Sequence, residues 1–332
     1  MKRFLPLLFV PVLTLAQNVP SPPFNPKIER LDPALDKLLA PDVKVEKIAE
    51  GFTWSEGPVW KDGALYFSDV PENKAYRWAP GDAKPKVFLR PSGGMEATAA
   101  FKEPGSNGMA VDASKHLIIC QQGTRRVIRL EDDGKQTPLA SSFEGKHFNS
   151  PNDVIVAPNG DIYFTDPPYG LEGLNDSPLK ELKFNGVFRA KPTGEVDAII
   201  KDLTFPNGLA FSPDHKLLYV GVSDPDAAKV WVYDLQPDGT AANRRLFFDA
   251  GPQVTQERVG LPDGIKVDAL GNVWVTAAGG VLIVSPAGQH LGSIITYQQT
   301  GNCAWGDDGS TLYICSNMFI CRVKTLTKGA GW

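Results

Sequence analysis

The sequence predicts an all-β fold, a six-bladed β-propeller with four-stranded antiparallel blades. Two observations predict it. A motif of a polar residue, an alternating apolar strand, a turn and a second apolar strand recurs six times. Each unit then continues into two further strand-like runs, so four strands belong to each repeat.

The units begin at Ser55 ("SEGPVWKDGALYFSD"), Ser106 ("SNGMAVDASKHLIICQ"), Pro151 ("PNDVIVAPNGDIYFTD"), Pro206 ("PNGLAFSPDHKLLYVG"), Pro262 ("PDGIKVDALGNVWVTA") and Gly301 ("GNCAWGDDGSTLYICS"). Their leading polar residues are Glu56, Asn107, Asn152, Asn207, Asp263 and Asn302, spaced 51, 45, 55, 56 and 39 residues apart. In the third unit, Asn159-Gly160 punctuates two apolar runs, which reads as a hairpin. "GVFRAK" and "VDAIIKD" supply its third and fourth strands. "KVWVYDL" and "RRLFFD" do the same in the fourth unit. The segment "VKVEKIAEG" is expected to supply the strand that closes the ring.

The rest of the chain fits this plan. Its 332 residues are 42% apolar, with 32 Gly and 28 Pro for turns. A net charge of -4 gives no electrostatic reason to expect nucleic acid. The first residues, "MKRFLPLLFVPVLTLAQN", have a basic start, an apolar stretch and small residues before Gln17, the pattern of a secretory signal cut after Ala16. The apolar stretch is short of the roughly 18–20 residues of a membrane span, and Pro6 and Pro11 interrupt it. The expected organisation is therefore a signal peptide at 1–16, an N-terminal extension at 17–42 and the propeller at 43–332. The expected product is exported, periplasmic or extracellular, free of the membrane after cleavage, and a monomer or weak oligomer.

Cys315 and Cys321 flank "SNMFI" and read equally well as a cross-hairpin disulfide or as two buried thiols. With Cys120 and Cys303 they match no zinc spacing. There is no HExxH, GxSxG, GxGxxG or Walker A motif, and the histidines at 116, 147, 215 and 290 stand singly.

In a four-stranded meander the inner strands all start at one mouth of the central channel, so the six polar residues are expected to ring that mouth. Two long connections lie on the same face: Arg90–Gly105 and Pro167–Asn185, the latter carrying Tyr169. Long loops over a site are candidate lids. Carboxylates and carboxamides converging at one point suit a hard divalent cation. Glu56 and Asp263 would neutralise its charge, and Asn152 and Asn207 would add neutral oxygens. The plain alternative is that Asn and Asp cap turns. That alternative leads at Asn107 and Asn302 and is weakest at Glu56, because Glu is a poor turn residue.

"SEGPVW", "NSPNDVIVAPNGDIYFTDPPYG", "FPNGLAFSPD" and "LPDGIKVDALGNVWV" resemble the signature segments of the SMP-30/gluconolactonase/regucalcin (LRE) family, over roughly residues 43–324. The resemblance implies a six-bladed propeller with a divalent metal on its axis, hydrolysing sugar-acid lactones or related esters. It implies Glu56, Asn207 and Asp263 as metal ligands, Asn152 on metal or substrate, and Asp263 as the catalytic acid/base. The expected metal is Ca2+, with Zn2+, Mg2+ or Mn2+ as alternatives. Two departures from the family pattern bear on the substrate: His147 precedes "NSPND", and Gln121-Gln122 replaces a Glu-His pair. The candidate substrate-binding residues are Asn152, Asn107, Arg126, His147 and Tyr169. For Arg126 and its neighbour Arg125, a solvated blade edge is an equal reading. Two other functions remain open at this stage: an organophosphate or aryl ester hydrolase on the same site, and a non-catalytic secreted propeller that binds a sugar or a protein.

Overall fold

Val154–Val156 pairs antiparallel with Ile162–Asp166, with Val156 opposite Ile162, around the Asn159-Gly160 turn. This is the hairpin expected from the third repeat. The computed structural model of the protein describes residues 24–332, so the signal segment read at 1–16 lies outside the described residues.

Six sheets form, and each begins with one of the repeats. Their first strands are Ser55–Lys61, Ser106–Val111, Val154–Val156, Pro206–Phe211, Ile265–Val267 and Asn302–Gly306. Each of these strands touches the next, and the last touches the first, so they close a ring of six blades. Three of the second strands, Leu117–Gln121, Ile162–Asp166 and Val273–Ala277, are buried at every residue. They are covered by neighbouring blades on both faces, which is why they read as unbroken apolar runs.

The ring closes as the sequence suggested. Val45–Glu50 pairs with Phe319–Lys324 and becomes the outer strand of the sixth blade, so the two ends of the propeller share one sheet. The stretch before it also joins the fold. Lys27–Arg30 pairs with His290–Ile295 and gives the fifth blade a fifth strand. A short 3-10 helix, Pro33–Lys37, follows; Asp32 caps it by accepting the Ala34 N–H at 2.8 Å. Leu35, Leu38 and Leu39 drop into the core between blades five and six, beside Trp274, Ile283, Leu312 and Ile314. Full burial of each leucine contributes about 1.5–3 kcal/mol.

All four cysteines are free and buried. Cys321 lies opposite Ile314, and Cys315 lies opposite Ile320. Side chains alternate along a strand, so Cys315 and Cys321 leave the sheet on opposite faces and enter different core clusters. Of the two readings of this pair, the structure therefore has the buried thiols.

Candidate active site

The ring residues reach the channel mouth because the backbone there is irregular. In blades one, two and four the ladder shifts register just after the polar residue, between Glu56 and Val59, Ser106 and Met109, and Pro206 and Leu209. A glycine follows the polar residue in four blades, and it lets one inner strand press against the next. Gly108 N–H donates to Asn152 O at 2.7 Å, Gly208 N–H to Asp263 O at 3.0 Å, and Gly264 N–H to Gly301 O at 2.8 Å. A Cβ on Gly57 would lie 1.9 Å from Asn107 O, so no side chain fits there.

Two aspartates outside the six ring residues hold the approach to the ring. Asp69 accepts the backbone N–H groups of Thr53 (3.1 Å) and Trp54 (3.0 Å). Asp166 accepts those of Asn149 (2.7 Å) and Ser150 (2.8 Å). In both blades the donors stand three and two residues before the ring residue, Glu56 or Asn152. Burial raises the pKa of both, that of Asp166 to about 7, against the lowering effect of the N–H donors. The signal was legible: each aspartate ends its repeat, in "LYFSD" and "IYFTD".

Glu56, Asn107, Asn152, Asn207 and Asp263 line one cavity of about 420 Å³, together with Trp54, Lys102, Glu103, Tyr169, Ser223 and Gln299. Asn302, the sixth ring residue, stands behind Glu56. Its Oδ1 accepts the Cys303 N–H (2.9 Å) and the Lys266 ammonium (3.2 Å). The two long connections both border the cavity, one through Lys102 and Glu103, the other through Tyr169. Tyr169 stacks on Phe205 with ring centroids 5.8 Å apart, and burial holds its hydroxyl protonated.

Arg126 and His147 do not line this cavity. Arg126 opens the third strand of blade two, Arg126–Leu130, and pairs with Gln121. Third strands sit two strand spacings from the inner one, roughly 10 Å outward. Its neighbour Arg125 turns inward from a left-handed backbone (φ 56°) and spends its Nε on the Phe148 and Asn149 carbonyls. His147 is exposed, and its Nδ1 pairs with Glu181 at 2.8 Å. Gln122 is buried beside Gly170, outside the cavity lining.

The electrostatics of the cavity favour a cation. Burial raises the Glu56 pKa to about 8, and the nearby Asp153 carboxylate adds to this while the Gly57 N–H opposes it. Burial, then Glu56 itself, pushes Asp263 well above the usual carboxylate range. Asn207 donates its amide nitrogen to Ser223 Oγ (2.9 Å), and Ser223 in turn donates to Pro262 O (2.5 Å). That leaves the Asn207 Oδ1 buried without a partner, and the Asn107 Oδ1 is in the same state. Among the described residues no three His, Cys, Asp or Glu side chains gather as a metal cluster. A cation here would therefore draw on the Asn carbonyls as well as the acids. An all-oxygen set with two carboxyls fits a hard divalent ion.

Fold and site together define a six-bladed propeller with an acid-amide cavity at one mouth of its axis. The chain belongs to the SMP-30/gluconolactonase/LRE-like family, whose model matches residues 54–318. It is 42% identical over 317 residues to a gluconolactonase of Zymomonas mobilis, covering 91% of this chain and 87% of that one. It is 28% identical to the regucalcin of Xenopus laevis, covering 82% and 87%. A solved gluconolactonase from Xanthomonas campestris superposes with a TM-score of 0.77 at 31% identity, over 92% of this chain and 98% of the other.

Proposed function

We propose that the protein is an exported, cation-dependent lactonase that opens a sugar-acid lactone, a small-molecule substrate taken from solution. The observation that carries this reading is the cavity where Glu56, Asn152, Asn207 and Asp263 converge, with buried carbonyl oxygen left unpaired. Likeness to two gluconolactonases supports the choice of bond. The exported character rests on the segment at 1–16.

Glu56, Asn152, Asn207 and Asp263 would hold the ion, with Ca2+ as the first choice for oxygen ligands. When bound, it supplies Lewis-acid polarisation of the lactone carbonyl and charge to stabilise the oxyanion. Ser223 fixes the amide of Asn207, so its carbonyl oxygen faces the cavity. Beside the charge of a bound ion, which opposes the effect of burial, Asp263 would be ionised and would accept the proton of the attacking water on a carboxylate oxygen. It then returns a proton to the ring oxygen as the acyl C–O bond breaks. The protonated Tyr169 donates to the substrate and orients it. The cavity volume falls within the roughly 300–1,000 Å³ usual for small-molecule sites.

The test is a panel of aldonolactones, aryl esters and phosphotriesters, assayed with chelator and after return of Ca2+, Mg2+, Mn2+ or Zn2+. Lactone turnover that chelator abolishes and a divalent ion restores supports the reading. Full activity in metal-free protein removes the cation from the chemistry, and preference for a phosphotriester or aryl ester moves the bond.

A further inference from the structure

Glu103 belongs to no repeat, yet it lines the cavity beside Glu56, Asn107, Tyr169 and Asp263. It arrives on the connection between blades one and two, and that connection is fastened. Lys102 N–H donates to Gly170 O (3.0 Å), Glu172 N–H donates to Ala100 O (3.0 Å), and Phe101 bridges to Leu171. Two residues after Glu103, the Gly105 N–H donates to Val70 O (3.0 Å) and its carbonyl accepts the Gln122 N–H (3.1 Å). The two long loops are thus one joined roof, and Glu103 is held between its anchor points.

The carboxyl of Glu103 has no hydrogen bond or ion pair with any described residue, although it is only partly exposed. Burial raises its pKa to about 7, with Lys102 the opposing influence. Neither carboxyl oxygen of Glu103 is among the buried atoms without a partner, so water reaches both, and a ligand hydroxyl can take that water's place without leaving an acceptor unpaired. Glu103 shares the cavity lining with the ring carboxyls Glu56 and Asp263 but comes from the roof and not from an inner strand. A lactone whose carbonyl is held at the ring would therefore share the cavity with the Glu103 carboxyl.

We propose that Glu103 is the hydroxyl-recognising group of this site, its two carboxyl oxygens accepting hydrogen bonds from neighbouring hydroxyls of a polyhydroxylated lactone. This rests on the lactonase reading. It makes Glu103 a determinant of substrate choice: a lactone without hydroxyls gains nothing from it.

The experiment compares glucono-δ-lactone with δ-valerolactone, the same ring size without hydroxyls, in wild type, Glu103→Gln and Glu103→Ala at saturating Ca2+. For Glu103→Ala, KM for the hydroxylated lactone should rise about 10- to 100-fold, the range for losing hydrogen bonds to a charged group, with kcat within about 2-fold. Glu103→Gln, which keeps one acceptor oxygen, should fall between. For δ-valerolactone, kcat/KM should be unchanged in both variants. An equal loss on both substrates, no loss on either, or weakened Ca2+ binding by calorimetry overturns the assignment. A wild type inactive on both lactones overturns the lactonase reading and the assignment with it.

Discussion

Gly208 N–H donates to Asp263 O at 3.0 Å, and a Cβ added to Gly208 would lie 1.9 Å from that same oxygen. The contact joins the inner strands of blades four and five at the residue with the largest role in the proposed chemistry. Gly208→Ala must therefore push the Asp263 backbone away from Asn207. We expect a stability loss of about 1–3 kcal/mol, the scale of overpacking, with a larger fractional loss of activity. Gly63→Ala is the control: Gly63 has φ 73° and open space at its Cβ, so backbone strain costs about 1–2 kcal/mol while turnover is kept. Equal activity in the two variants would show that the contact does not position the site.

The fold was legible because the repeats carry it. Six polar-led hairpins set the blade count, and the apolar run after each polar residue, such as Val154 to Val156, marks the inner strand. The fifth strand, Lys27–Arg30, was not legible: "KIER" is four residues long, and an edge pairing depends on what His290–Ile295 leaves open. The cavity was legible where the ring residues recur, and five of the six line it. Of the candidate substrate-binding residues, Arg126 and His147 lie outside the cavity lining, Arg126 at the blade-edge position that was its equal reading and His147 paired with Glu181. Glu103 left no repeat to find it by, since loop residues reach a site through tertiary contacts such as Phe101 with Leu171.

Leu35 tests whether residues before the ring-closing strand are part of the stable fold. It is fully buried and packs with Trp274 and Ile283 between two blades. Leu35→Ala should cost about 2–5 kcal/mol, lost transfer energy plus cavity, measured as a lower denaturation midpoint with an unchanged slope. A loss under about 0.5 kcal/mol, typical of a surface position, would mean that the extension is only draped on the propeller.

Asp166 gives a pH dependence with a defined sign. Its folded pKa is raised to about 7 by burial, above the unfolded value of about 3.9. Between these values the folded state binds the extra proton, so this group's contribution to stability falls as pH rises from about 4 to about 7. Asp166→Asn cannot titrate. The stability difference between wild type and variant should therefore shift against wild type across that window, read from denaturation at several pH values. A difference that is flat with pH, or slopes the other way, would show that the Asn149 and Ser150 N–H groups outweigh burial and keep the acid ionised.

Asp263→Asn separates turn-maker from participant. Asn serves turns as well as Asp, and the Gly208 contact uses only the backbone of residue 263, so the fold should survive with an unchanged circular dichroism spectrum. The amide keeps one oxygen for a cation but cannot accept a proton from water. At saturating Ca2+, kcat should fall at least about 10²-fold, the scale for losing a general base. Ca2+ affinity should weaken too, because one of two acidic ligands is neutralised. Measuring kcat and Ca2+ binding on the same preparation distinguishes the two roles. Weak binding with near-normal kcat at saturation would leave Asp263 a replaceable ligand. Normal binding with the expected fall in kcat would place its function in proton transfer alone.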